Sequence, residues 1–259
     1  MLSLVVVTSC GGNKGGNGKD RAAPTTAATT STTTSTTTTA PTVTTTTVPT
    51  TTTPIPADPA VAAVQTRLTW LGYRPGKIDG KFGPTTASAV LAFQKREGLP
   101  RTSTITPDVT TRLKNPVGAG PRTAAGPRIE IDLDRQIGFV IDAGGHVSTV
   151  NISSGNGQTY VNPRGGYGVA YTPTGVFSVY RRIDGLEHAP LGTLYRPLYF
   201  HSGWAVHGST NVPAYPASHG CVRTSYADQD YIWGVIPYGS PVVIYGTSAG
   251  NPAGAEPGA

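Results

Sequence analysis

Cysteine is scarce in this chain: Cys10 and Cys221 are the only two among 259 residues. That excludes a scaffold stapled by several disulfides, and no His/Cys spacing matches a standard zinc motif. Long apolar runs are missing as well. None approaches the roughly 18 residues that a membrane-spanning helix needs, so any membrane attachment has another source. Charge is wholly absent from residues 25–53, where 20 threonines are interrupted only by Ala, Pro, Ser and Val. Such a tract has too little apolar surface to offset the entropy of ordering it, and it reads as a disordered stalk. Roughly 200 residues remain for folded structure, room for one large or two small domains.

The formal net charge of +6 is unevenly placed. Residues 58–114 hold nine Lys/Arg against four Asp/Glu, whereas residues 127–247 hold seven against eight. No nucleic-acid motif accompanies the basic part, so nucleic acid is not an expected partner. A basic surface suits an anionic polymer matrix equally well.

Cys10 closes a short apolar run, Leu2-Ser3-Leu4-Val5-Val6-Val7, within Val7-Thr8-Ser9-Cys10-Gly11. The segment resembles the lipobox of a bacterial lipoprotein: an aliphatic residue, two small residues, then the cysteine that is acylated. No Lys or Arg precedes the run, and the run is shorter than a normal signal core. The resemblance implies a signal remnant over 1–10, lipid on Cys10 and anchoring at the outer face of the cytoplasmic membrane. Residues 11–57 are then a Thr-rich tether whose extended reach is on the order of 150 Å. Cys221 is left without an intramolecular partner, and a lone thiol in an exported protein flags chemistry.

Residues 58–114 read as a small helical unit. Asp58-Pro59 is a cap and first-turn pair, Val61, Val64, Leu68 and Leu71 recur at helical spacing, and Gly72 supplies a stop. A second helix is expected from about Pro84 to Glu97, burying Ala87, Val90, Leu91 and Phe93 and ending at Gly98. Thr106-Pro107 opens a short third helix carrying Val109 and Leu113. The string Val64-Gln65, Leu68, Leu71-Gly72-Tyr73, Gly76, Asp79-Gly80, Phe82-Gly83, Thr86, Ala89-Val90, Phe93-Gln94 and Gly98-Leu99 resembles the three-helix peptidoglycan-binding module found beside cell-wall enzymes. One departure is Thr102-Ser103, where that family has a second Asp-Gly pair.

Residues 115–126 read as a linker. From Pro127 the texture changes: Ile129, Ile131 and Leu133, then Ile137, Phe139 and Ile141, alternate with other residues as strands do. Further strands are expected over 147–153, 175–182, 196–207 and 241–246. Helical spacing returns only around 225–236, where Ser225-x-x-Asp228 offers a cap. A mainly β domain over 127–247 is expected, with 248–259 as a disordered tail. The whole is a multidomain chain, a small all-α module followed by a mainly β domain.

The chemistry-bearing stretch is Ser218-His219-Gly220-Cys221-Val222-Arg223, with His207-Gly208 upstream. A thiol that cleaves an amide needs a base, donors for the developing oxyanion and backbone access for the substrate. His207 is the candidate base, with the Gly208 carbonyl placed to orient its imidazole. The amides of His219, Gly220 and Cys221 are candidate oxyanion donors, and Arg223 is suited to a substrate carboxylate. His146, His188 and His201 read as surface or internally satisfied histidines. No metal site and no cofactor is expected.

With Phe200-His201-Ser202-Gly203-Trp204-Ala205-Val206-His207-Gly208 and Thr172-Pro173-Thr174-Gly175-Val176-Phe177, this stretch resembles the L,D-transpeptidase catalytic domain. The resemblance implies Cys221 as nucleophile, His207 as general base and later acid, and His219 as a positioning group. It also implies Ser202 and Gly203 along the donor-peptide groove, with Tyr195 and Trp204 beside them. The implied reaction is attack on the third stem residue's carbonyl, loss of the terminal D-Ala and transfer to an amine, giving a 3→3 peptidoglycan crosslink. Carbapenem β-lactams are implied covalent inhibitors. The connection between His207 and Ser218 is shorter than the family commonly shows. Two alternatives stay open: an L,D-carboxypeptidase that hands the acyl group to water, and a non-catalytic wall-binding lipoprotein.

Overall fold

The computed structural model describes residues 56–123 and 125–250. Cys10, almost all of the Thr-rich tether and most of the expected tail lie outside the described residues. No helix among the described residues is long and apolar enough to cross a membrane.

The helical part is built as its caps dictate. In α1 (Pro59–Trp70), the Asp58 carboxylate accepts from the Ala60 amide at 2.8 Å, and Gly72 leaves the helix at φ +82°. Helix α2 (Pro84–Glu97) ends on left-handed Gly98. Helix α3 (Pro107–Lys114) opens on Thr106, whose hydroxyl accepts from the Val109 amide. The core joins Val64, Leu68, Tyr73, Val90, Phe93, Val109 and Leu113. Ala87 is only half-buried; Ala89 and Ala92 take its expected place, because α2 presents that face to its neighbours.

Two buried glutamines fix the loops. Gln65 donates to Asp79, Lys81 and Thr86 and accepts from the amides of Asp79 and Gly80. Gln94 donates to Thr102 and Thr104 and accepts from the Ser103 amide. Thr102-Ser103 therefore keeps the loop architecture, with Ser103 at φ +61°.

The segment 115–123 is a pinned strap rather than a loose linker. The Glu97 carboxylate accepts from the amides of Val117 and Gly118, and the Glu130 carboxylate from those of Arg122 and Thr123. Among the described residues, those from Pro56 to Gly250 cluster as one compact unit. Backbone pairing joins its two parts, since the Thr149 amide donates to the Gly72 carbonyl at 2.8 Å.

The β part contains β1 (Arg128–Asp132), β2 (Ile137–Ile141), β3 (Val147–Asn151), β4 (Thr159–Val161), β5 (Tyr167–Val169) and β6 (Gly175–Ser178). It continues through β7 (Arg181–Arg182), β8 (Leu186–Ala189), β9 (Gly192–His201), β10 (Trp204–Gly208), β11 (Val222–Thr224), α4 (Tyr226–Val235) and β12 (Pro241–Tyr245). One sheet runs β3-β2-β1-β12-β6, a second runs β11-β10-β9-β7 with β8 on β9, and β4 and β5 form a separate hairpin. Ile129, Ile131, Val242 and Ile244 of the first sheet pack against Leu198, Phe200, Val206 and Val222 of the second, with Ile232 of α4 closing the core. Two expected strands are each split. Residues 175–182 divide between sheets after Ser178, and 196–207 turns at Ser202-Gly203 into an antiparallel hairpin.

Candidate active site

The chain leaves β10 at Gly208, loops out and re-enters the same sheet as β11, parallel to β10. Register sets Val206 opposite Val222 and His207 opposite Arg223. Side chains alternate along a strand, so His207, Arg223 and Cys221, two residues before Arg223, project to one side. All three line a cleft of about 350 Å³. Gly203, Trp204 and His219 line it too.

The turn that carries the thiol is held by two hydroxyls. Ser218 Oγ donates to the Cys221 carbonyl at 2.5 Å and accepts from the Gly220 amide at 2.9 Å. Buried Thr172 donates to the Gly220 carbonyl at 2.6 Å and accepts from the Gly155 amide at 2.9 Å. Gly220 itself admits no side chain: at φ +133°, a Cβ would stand 2.6 Å from both Trp204 Nε1 and the Tyr171 carbonyl. Trp204 Nε1 donates to that same carbonyl at 2.8 Å, which seats the indole against the turn.

Cys221 is half-buried and carries a thiol, its Sγ donating to the Gly203 carbonyl at 3.7 Å. His207 is only 5% exposed. Its Nδ1 lies 2.9 Å from the Gly208 carbonyl, which can only accept, so Nδ1 carries the proton and Nε2 keeps its lone pair. Burial pulls the His207 pKa down to about 4; the Gly208 hydrogen bond opposes this and the Arg223 charge adds to it. The imidazole is therefore in its neutral, proton-accepting form at neutral pH. Burial also lowers His219, with Arg223 again contributing, and the His219 ring stands edge-on to Tyr160 at 5.0 Å. Arg223 is pulled down by burial, against which the neighbouring Cys221 acts.

Four expected site residues lie elsewhere than on the cleft wall. Ser202 is exposed at the β9–β10 turn with φ +43°, and its carbonyl accepts from the Tyr180 hydroxyl. Tyr195 points to α4, donating to Asp230 at 2.7 Å and stacking on Tyr226 at 4.3 Å. Neither lines the cleft, because the β9–β10 turn and the strand alternation carry both side chains away from it. Gly208 and Gly220 act behind the wall, Gly208 leaving room for Tyr195 at 2.8 Å from where a Cβ would be. The Gly220 amide donates to Ser218 Oγ, whereas it was expected among the oxyanion donors.

The structure adds residues that sequence reasoning passed over. Tyr160 and Val169 of the β4–β5 hairpin form one side of the cleft, and Leu191–Leu194 at the β8–β9 turn another. Ser209, Thr210 and Asn211 continue the wall from β10. No cluster of metal-binding side chains occurs among the described residues.

A thiol and a neutral imidazole opening on one groove is the arrangement that thiol acyl transfer uses. Comparisons with known proteins place the chain in a family. A peptidoglycan-binding domain family matches residues 57–113, and the L,D-transpeptidase catalytic domain family matches residues 126–244. Among solved structures, the L,D-transpeptidase from Xylanimonas cellulosilytica is 43% identical, covering 73% of this chain and 95% of that one, with a TM-score of 0.69. An L,D-transpeptidase from Stackebrandtia nassauensis is 20% identical over 75% of this chain and 95% of its own, with a TM-score of 0.44. The search of curated proteins matches none. This chain belongs to the L,D-transpeptidase family, with a peptidoglycan-binding module ahead of its catalytic domain.

Proposed function

We propose that this chain forms 3→3 peptidoglycan crosslinks through a thioester on Cys221. The observation that carries the reading is the shared cleft of Cys221 and a buried, neutral His207 whose Nδ1 is fixed by Gly208. His207 Nε2 takes the Sγ proton as sulfur attacks the carbonyl of the third stem residue. The amides of His219 and Cys221 are the donors proposed for the oxyanion, since that of Gly220 is committed to Ser218. Collapse breaks the C–N bond, and the imidazolium returns its proton to the departing D-Ala amine. An amine from a second stem then attacks the thioester, giving up a proton to His207 and restoring the thiol. Arg223, a half-buried cation on the cleft wall, is the proposed partner of a stem carboxylate.

The proposal extends to the whole chain. Peptidoglycan is the partner of residues 58–114, lipid on Cys10 is the anchor at the outer face of the cytoplasmic membrane, and carbapenem β-lactams acylate the same sulfur. The test is to incubate the protein with purified tetrapeptide stems and read the products by mass spectrometry. Dimers linked 3→3 are expected. Tripeptide without dimer assigns water as the acceptor and makes the protein a carboxypeptidase; unchanged stems leave only a wall-binding role.

A further inference from the structure

The loop that joins His207 to Cys221 is gripped from outside its own domain. Lys95, in the last turn of α2, is 2% exposed, and its ammonium donates to Asn151 Oδ1 at 2.5 Å, the Ile152 carbonyl at 2.9 Å and the Gln136 carbonyl at 3.1 Å. All three acceptors belong to the β part. With Oδ1 accepting from Lys95 Nζ, the Asn151 amide group is fixed in one orientation, and its Nδ2 donates to the Val212 carbonyl at 3.2 Å. Arg101, from the loop after α2, reaches the same segment directly: one guanidinium nitrogen donates to the Ala214 carbonyl at 3.0 Å and another to the Asp134 carbonyl at 3.4 Å.

Val212 and Ala214 lie just past Ser209, Thr210 and Asn211, which form cleft wall. The β part grips the two ends of the loop by itself, at Ser209, whose amide donates to the Thr224 carbonyl, and at Tyr215, Ala217 and Ser218, through Ser153 and Ser154. Between Asn211 and Tyr215, one side-chain hydrogen bond comes directly from the helical module, Arg101 to the Ala214 carbonyl, and the other, Asn151 to the Val212 carbonyl, comes from a β3 residue that Lys95 of the module holds. Burial, with the Arg101 charge adding, draws the Lys95 pKa down to about 6. Three oxygen acceptors pull the other way, because an ammonium satisfies all three and a neutral amine only two.

We propose that Lys95 and Arg101 are positioning residues, through which the peptidoglycan-binding module fixes loop 209–217 and with it the cleft wall between base and nucleophile. This rests on the acyl-transfer reading of the cleft. It makes the module a structural part of the active site as well as a wall-binding unit.

The test compares full-length wild type with Arg101→Ala, Arg101→Lys, Lys95→Met, Asn151→Ala and the Lys95/Asn151 double variant. Two quantities are read: amide hydrogen exchange over residues 209–217, and the maximal rate of Cys221 acylation by a carbapenem, separated from its half-saturation concentration. Arg101 is exposed, so its variants should melt as wild type does. Arg101→Ala is expected to speed loop exchange about tenfold and slow maximal acylation about tenfold, with partial recovery in Arg101→Lys. Lys95→Met is expected to go further and to be non-additive with Asn151→Ala. Folded variants whose loop exchange and acylation both match wild type overturn the proposal. A wild type that takes no adduct overturns the acyl-transfer reading instead, and loop exchange still decides this one.

Discussion

Replacing Thr172 by valine exchanges one hydroxyl for a methyl at nearly constant volume. The hydroxyl is buried, and it joins two backbone groups that have few other options: the Gly155 amide, which donates to it at 2.9 Å, and the Gly220 carbonyl, which it meets at 2.6 Å. Leaving a buried donor or acceptor unsatisfied costs about 1–3 kcal/mol each. Relaxation of the turn recovers part of that, so Thr172→Val should lower unfolding stability by about 3 kcal/mol. Thr172→Ser keeps both hydrogen bonds and loses only a methyl, costing about 1 kcal/mol. The assay is urea denaturation of the three proteins, read on tryptophan fluorescence and compared at equal slope. Acylation of Cys221 by a carbapenem should slow in the valine variant, because Gly220 is one residue from the sulfur. A valine variant within about 0.5 kcal/mol of wild type would refute the claim that this hydroxyl clamps the turn.

Three other outcomes follow from the same geometry. Gly220→Ala places a methyl 2.6 Å from both Trp204 Nε1 and the Tyr171 carbonyl at φ +133°, so it should cost about 2–4 kcal/mol and abolish thiol acylation; a thermal melt and an intact-mass assay check this. The buried His207 holds its pKa near 4 rather than 6.5, so its base form persists as pH falls, and the acid limb of acylation attributable to it should centre near pH 4, with a midpoint at 6.5 counting against the assignment. Asp228 is raised by burial to about 6, against the pull of Ser225 and Arg74. Between about pH 4 and 6 the folded state holds the extra proton, so this group makes stability fall as pH rises through that window, by at most about 3 kcal/mol. Asp228→Asn should remove that fall in urea titrations; an unchanged slope contradicts it.

The legibility of the sequence varied with how local the determinant is. Asp58-Pro59, Gly98, Thr106-Pro107 and Ser225 mark helix ends through their own hydrogen bonds and backbone angles, and the helices begin and end where they indicate. The alternation around Ile129–Ile141 gives β1 and β2 for the same reason. Cys221 and His207 share a short motif, and parallel strand register brings them to one cleft. The β4–β5 hairpin stayed hidden because its strands have three residues each, too few to show a period. Where Tyr195 and Ser202 lie was not legible: Tyr195 is turned by strand alternation toward α4, and Ser202 sits in the β9–β10 turn at φ +43°. Lys95 sits amid a helix as any surface lysine does; only tertiary packing turns it inward onto Asn151. Thr172 belonged to a recognisable segment, yet its clamp spans the gap to Gly220, which no local pattern encodes.

The proposed chemistry requires a covalent acyl group at one sulfur, formed with the help of one imidazole. Rapid-quench intact-mass spectrometry of the protein with a tetrapeptide stem, followed by peptide mapping, measures this directly. The expected result is a transient tripeptide adduct on Cys221, absent in Cys221→Ala and slowed by about two orders of magnitude or more in His207→Ala. An adduct elsewhere, or turnover of stems by Cys221→Ala, would contradict it.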